Sequence, residues 1–333
     1  MSDTTLPSPG GVEIEGLSFR RLARPEDYEH LAALIGASNR AEDIPYAPQA
    51  ESLRVEFENQ ADFDPRRDLV LAEADGRMVG FGQALRQVRD GIAVYWTFGT
   101  VLPEYRRRGL GRAIVRANEA RGRALASRFE DPGGRAFGSW ADDQQGGACE
   151  LLASEGYEPI RCGYTMRRPD LDEVPDVALP DGLELRPVTP DQRRAIFEAD
   201  EEAFQDHWGH RTATEEDFVA LFAEPELDTG LWRVAWDGDQ VAGSVMSYIW
   251  RSENENLGVR RGWLERISVR RPWRRRGLAR ALIALALVGL SDAGMEDAML
   301  GVDTENVTGA LRLYESMGFV VRDRQTQFRK AWS

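Results

Sequence analysis

Trp263-Leu-Glu265-Arg-Ile267-Ser-Val269-Arg-Arg-Pro-Trp-Arg274-Arg275-Arg276-Gly277-Leu278-Ala279-Arg280 is the segment from which the fold can be read. Its first part, Trp263 to Val269, is rich in β-branched and aromatic residues and reads as a strand. Beyond the arginines, Leu278, Leu282, Leu285 and Val288 recur at helical spacing on one face. A strand that passes through glycine into a helix start aims several backbone N–H groups at one point, and the helix dipole adds positive potential there. Such a point suits a pyrophosphate. Gly277 lets the backbone approach it, and the flanking arginines Arg274, Arg275, Arg276 and Arg280 can supply charge-assisted hydrogen bonds.

The charge pattern supports an anion. Six arginines fall within residues 266–276 and no acidic residue follows until after Ser291, in a chain of net charge -14. Overall acidity argues against a dedicated binder of nucleic acid or of an anionic membrane, so the reversal is local. The pattern is neither the Gly-x-Gly-x-x-Gly of dinucleotide folds nor a P-loop. The helix is apolar beyond Arg280, which leaves few positions to read base edges. A solvated charge cluster remains the competing reading, but arginines at a helix N-terminus oppose the dipole unless an anion is bound.

The segment has a counterpart. Val101-Leu-Pro-Glu-Tyr-Arg106-Arg107-Arg108-Gly109-Leu-Gly111 matches Val269 to Ala279, with Gly109 and Gly277 168 positions apart. Ala148 to Tyr157 (ACELLASEGY) likewise matches Ala310 to Phe319 (ALRLYESMGF), with Gly156 and Gly318 162 apart. Two motifs recurring in the same order at nearly one spacing indicate tandem copies of a domain. The expected boundaries are residues 1–168, a Pro- and Asp-rich linker at 169–181, and residues 182–333. In the second copy a strand is expected at 183–187, helices at 190–205 and 214–223, and a hairpin of 231–236 with 240–249 turning at Asp237-Gly238-Asp239. A strand at 299–302, a helix at 307–317 and an extended segment at 319–332 follow. The architecture implied is α/β, a mixed sheet with helices on its faces.

The 333 residues, 42% hydrophobic and 29% charged, fit two packed domains of about 100 to 200 residues each. No apolar run reaches the roughly 18 to 20 residues of a membrane span, and residues 1–10 lack a signal pattern, so a cytoplasmic address is expected. Cys149 and Cys162 neither form a disulfide framework nor stand in a metal-ligand motif.

These motifs resemble the GCN5-related N-acetyltransferases. The family's acetyl-CoA signature, Arg/Gln-x-x-Gly-x-Gly/Ala after a strand of the type Glu-x-Ile-x-Val, is matched by Glu265 to Ala279. Its later signature, Asn-x-x-Ala-x-x-Leu-Tyr-x-x-x-Gly-Phe, is matched at Ala310, Leu313, Tyr314, Gly318 and Phe319, with Asn306 one residue farther upstream than the shortest spacing. The tandem arrangement is similar to the mycothiol synthase-like two-domain members. The resemblance implies acetyl-CoA as co-substrate, no metal, and a pantetheine arm lying between two diverging strands near Ile267 and Val269. It also implies cofactor contacts from Arg274 to Arg280 with Asn306, and from Val101, Arg106, Arg107, Arg108, Gly109 and Gly111 in the first copy.

Acetyl transfer to an amine needs a base and an acid. Glu265 is the candidate base, on the strand bordering the glycine turn and on the same face as Ile267 and Val269 by strand alternation. Tyr314 matches the family's general acid. Glu265 could instead be a structural carboxylate held by an arginine, and Tyr314 a core tyrosine on the face of Val307, Ala310 and Leu311. In the first copy Thr97 stands opposite Glu265, Leu152 opposite Tyr314 and Gln144 opposite Asn306. The first copy is therefore expected to be catalytically degenerate and the second active by direct transfer in a ternary complex. Both cysteines lie in the first copy by sequence, which argues against a thiol intermediate. His207 and Trp208, between two expected helices, are candidate substrate contacts. Trp232, Trp236, Trp250 and Trp263 read as core or pocket wall, core being favoured. The partner expected is a small-molecule amine or aminoacyl substrate, with neither nucleic acid nor membrane, for a monomer or homodimer. A non-catalytic acyl-CoA-binding regulatory protein and a mycothiol synthase proper, acting on a cysteinyl amino-sugar, are the alternatives.

Overall fold

The computed structural model describes residues 5–6, 11–44, 46–89, 91–205, 212–304 and 309–332. The first half runs through strands β1 (Thr5–Leu6) and β2 (Leu17–Arg20), then helices α1 (Asp27–Arg40), α2 (Ala50–Asn59) and α3 (Pro65–Asp68). Strands β3 (Leu69–Ala74), β4 (Arg77–Arg89) and β5 (Ile92–Val101) follow, then α4 (Leu110–Ala126), β6 (Arg135–Asp142), α5 (Gly146–Ser154) and β7 (Glu158–Arg168). The second half comprises β8 (Glu184–Leu185), α6 (Arg193–Phe204), α7 (Glu215–Ala223), β9 (Arg233–Asp237), β10 (Gln240–Tyr248) and α8 (Arg251–Leu257). It ends with β11 (Arg261–Val269), α9 (Leu278–Asp292), β12 (Asp297–Asp303), α10 (Ala310–Ser316) and β13 (Val320–Ala331).

The chain forms two compact units, one of Met1–Arg161, Thr214–Pro225 and Gln325–Ser333, the other of Cys162–Ala213 and Glu226–Arg324. Both are mixed α/β sheets, as expected. In the first unit β1 to β6 pair in chain order, antiparallel except for parallel β5 and β6. Residues Gln325–Ala331 of β13 complete it, antiparallel to Asp142–Ala136 of β6. In the second unit β8 to β12 repeat the scheme, with β11 and β12 parallel. Residues Gly163–Arg168 of β7 complete it, antiparallel to Asp303–Ala298 of β12. The strand after each copy's last helix thus finishes the other copy's sheet. Helix α7 also departs from its repeat. It belongs to the first unit, where Ser52 Oγ donates to Glu224 at 2.9 Å.

In each unit a parallel pair is joined by a crossover helix, and the pair separates as it approaches the glycine turn. Strand β5 meets β6 only over Ala93–Trp96, and β11 meets β12 only over Arg261–Trp263, so Leu264–Val269 continues beside β10 with no registered partner in β12. Helix α9 packs more fully than its sequence stripe suggests. Leu278 and Leu282 are buried, but Val288 is 43% exposed, while Ile283, Leu287 and Leu290 are sealed. Nearly all of its circumference faces the core formed with Ala242, Val245, Leu264 and Leu300. Each such leucine contributes about 1.5–3 kcal/mol. Helix α8, a polar segment with no apolar period, is an element the sequence did not suggest. Its first N–H groups are held by the Glu226 carboxylate, which accepts from the amides of Arg251 and Ser252. No helix among the described residues is long and apolar enough to cross a membrane.

Candidate active site

Strand β11 is interrupted at Glu265. Its register with β10 runs Gly243↔Val269 to Met246↔Arg266, then resumes at Ser247↔Leu264, so Glu265 is an extra residue with no opposite number. A bulge of this kind re-aims a side chain. Here it falls where β11 has left β12. On one side of the bulge Arg266 and Ser268 turn toward α6, Arg266 binding Asp200 and Glu201, and Ser268 sharing a 3.1 Å hydroxyl contact with Ser244. Ile267 and Val269 pack against the core on the other face.

Glu265 is water-accessible yet crowded by protein. Desolvation pushes its carboxyl above the usual carboxylate range, offset in part by the Trp250 indole and the Arg266 charge. Trp250 Nε1 donates to Glu265 Oε1 at 3.4 Å, and its ring stacks on Tyr248 with centroids 5.0 Å apart. Trp232 and Trp236 are core residues, whereas Trp250 is half-buried and touches the candidate base. In sequence Trp250 stands between core and pocket wall, with core favoured, and nothing there signals its contact with Glu265.

Tyr314 lies on α10, 7% exposed, its ring edge-on to Phe319 with centroids 6.3 Å apart. Burial raises its phenol to about 12. Among the described residues no hydrogen bond joins it to Glu265. Asn306, His207 and Trp208 lie outside the described residues.

The glycine turn is built alike in both units. Gly277 has φ +83° and Arg275 φ +61°; Gly109 has φ +86° and Arg107 φ +62°. All four are left-handed, which glycine adopts freely and arginine at a cost of about 1–2 kcal/mol. Arg274 and Arg106 are part of this construction. Arg274 donates to the carbonyls of Val269 (2.9 Å) and Ala203 (3.1 Å), and Arg106 to the carbonyl of Val101 (3.1 Å) and the carboxylate of Glu42 (2.7 Å). Arg270 donates to Glu202 at 2.9 Å, and Arg266 is held as described above. Arg275, Arg276 and Arg280 are exposed and make no hydrogen bond or ion pair with another described residue. No side chain caps α9, and a Cβ placed on Gly277 would meet nothing within 4 Å. Among the described residues nothing compensates the positive charge of residues 275 to 280 or caps the helix N–H groups there, which fits a diphosphate.

The matching positions of the first unit are closed. Strand β5 pairs with β4 without interruption through Thr97↔Ala84, so there is no bulge at Thr97. Thr97 is buried, its hydroxyl 3.3 Å from that of Tyr157, which donates to Glu119 at 3.1 Å. Lys330, the only lysine, caps this chain by donating to Glu119 at 2.7 Å. Leu152 is buried beside them. One reading from sequence is corrected: Cys162 lies in the second unit, immediately before the part of β7 that pairs with β12, where its carbonyl accepts from Thr304, so membership of the first copy does not separate it from the candidate site. Among the described residues no group of three or more His, Cys, Asp or Glu side chains could hold a metal.

A family model described as Acetyltransferase (GNAT) family matches residues 35–130 and 193–319. The chain is 29% identical over 312 residues to a mycothiol acetyltransferase of Geodermatophilus obscurus, covering 92% of this chain and 95% of that protein. It is 32% identical over 253 residues to one of Thermomonospora curvata, covering 75% of this chain and 78% of that protein. Among solved structures, a GCN5-related N-acetyltransferase from Sphaerobacter thermophilus is similar with a TM-score of 0.72 and 28% identity, over 94% of this chain and 95% of that one.

Proposed function

Since the chain belongs to the GNAT family of acetyltransferases, we propose that its second unit moves an acetyl group from acetyl-CoA directly to a primary amine within a ternary complex. One observation carries this reading: a carboxylate with a raised pKa stands at a strand bulge where two strands part, on the strand that leads into an anion cradle left open by the described residues. The first unit's strands part as well, but at the matching positions it has neither a bulge nor a carboxylate, and its turn is covered.

Acetyl-CoA, when bound, supplies an acyl group activated as a thioester. The N–H groups opening α9, with Arg275, Arg276 and Arg280, would hold its diphosphate. Arg274 keeps the turn in shape. An amine of pKa about 10.4 must lose a proton at a cost of about 4.6 kcal/mol at pH 7 before it can attack. Glu265 accepts that proton at its carboxylate, and its raised pKa makes it a stronger base than a glutamate of ordinary pKa. Tyr314 remains a phenol throughout the working range and holds at its Oη the proton that a departing thiolate requires.

The acceptor is proposed to be a small amine or aminoacyl compound. A second reading, mycothiol acetyltransferase in the strict sense, is favoured by the names of relatives aligned over most of their length. Thiol release from acetyl-CoA with a panel of amines, a cysteinyl amino-sugar among them, tests both. The Glu265→Gln, Tyr314→Phe double variant should abolish release while still binding coenzyme A. Turnover near the wild-type rate in that variant would defeat the assignment, as would a wild-type chain that binds the coenzyme and acetylates nothing.

A further inference from the structure

The first unit also contains a glycine turn at a helix start, and it is already covered. Glu13 N donates to Arg108 O at 3.2 Å. A Cβ added to Gly109 would lie 2.3 Å from Gly11 O and 3.4 Å from Val12 Cα, where the same atom on Gly277 meets no described residue within 4 Å. Val12 and Ile14 pack on the core of that unit, and β1 pairs with β2, so the segment is anchored on both sides of the turn. A carbonyl oxygen carries partial negative charge, and that of Gly11 sits at the positive end of α4.

The arginines agree with this picture. Arg107 is paired with Glu150 at 2.8 Å, and Arg112 and Arg116 share Glu155 at 2.8 Å each. Their counterparts in the second unit include Arg275 and Arg280, which pair with no described residue, and by the 162-residue offset Glu150 corresponds to Arg312 and Glu155 to Met317. One turn has Arg107 and Arg112 paired within its own chain, although Arg108, the counterpart of Arg276, makes no ion pair with a described residue. The other has an extra arginine where the first has a glutamate.

We propose that Gly11–Glu13 occupies the first unit's anion cradle as a built-in ligand, so that this chain takes up one coenzyme A, at the turn of Gly277, and not two. The stoichiometry rests on the reading above that such a turn cradles coenzyme A; the strap itself does not. Removing the strap uncovers a second anion site whose occupancy is independent of Arg275 and Arg276.

Titration calorimetry with coenzyme A on the full chain should give one equivalent, greatly weakened by Arg275→Ala with Arg276→Ala. A chain starting at Gly16 should give a second equivalent that survives those two substitutions. Two equivalents on the intact chain, or no gain in a folded truncated chain, overturns the proposal. Hydrogen exchange on the intact protein guards against a truncated chain that fails to fold. The Glu13 amide should be protected and should stay so at saturating coenzyme A; an unprotected amide, or protection lost on adding coenzyme A, also overturns it. Thiol release reports the second unit separately: its absence alongside a protected Glu13 amide counts against the proposed activity and supports the strap.

Discussion

Glu265 shows how one residue's environment sets the pH at which a site can work. Desolvation favours the protonated carboxyl, while the Trp250 N–H and the charge of Arg266 favour the carboxylate, and desolvation wins. The proposed role as a base requires Glu265 deprotonated, so activity should fall on the acid side as pH drops through its raised pKa. Trp250→Phe keeps an aromatic ring against Tyr248 but removes the donor that stabilises the charge. Its acid limb should therefore move to higher pH, with little change in the KM for acetyl-CoA. A limb that stays in place, measured as kcat/KM against pH, would reduce Trp250 to a packing residue. Tyr314 adds no limb of its own below about 12. Strand alternation brought Glu265 under suspicion, but the bulge that re-aims it depends on how β10 registers against β11, which neighbouring residues in sequence do not encode.

The glycine turn separates residues that build a site from residues that would use it. Arg274 ties the turn to β11 and α6 through two carbonyls, and hydrogen bonds from charged groups are worth about 1.5–3 kcal/mol. Arg274→Ala should lower the melting temperature by several degrees and raise the KM for acetyl-CoA; Arg276→Ala should raise the KM and leave melting unchanged. Calorimetric melting with steady-state kinetics on both variants checks this, and equal effects would erase the distinction. In sequence the arginines look alike. The elements themselves were readable where local chemistry dominates: the Asp237-Gly238-Asp239 turn joins β9 to β10, with Gly238 at φ +54°, and Thr214 opens α7 with a reciprocal cap to Asp217. Helix α8 was not readable, because its start is satisfied by Glu226 from a distant part of the chain.

Repeats in sequence are usually taken as units of folding, and here the two do not coincide. Cutting at the repeat boundary, into residues 1–168 and 182–333, takes from the first unit Gln325–Ala331, buried Phe328, Lys330 on Glu119, and Trp332, whose ring lies 4.6 Å from that of Phe137. The second unit loses Gly163–Arg168, including sealed Met166 and the Arg168 guanidinium bound to Met317 O. It also loses the linker, whose Leu171, Val174, Val177 and Leu179 pack on its core. Phe328 and Met166 alone represent about 1.5–3 kcal/mol each, against a typical margin of about 5–15 kcal/mol for a whole domain. Each fragment expressed alone should lack a cooperative unfolding transition, despite carrying a full set of family motifs. Fragments 1–181 and 182–333 produced together in one cell should instead co-purify through a tag on either one and recover thiol release, because the exchanged strands are then supplied in trans. Independent folding and coenzyme binding by 182–333 would show that β7 is dispensable and that the exchange is a consequence of tandem fusion, with no part in holding the sheet together.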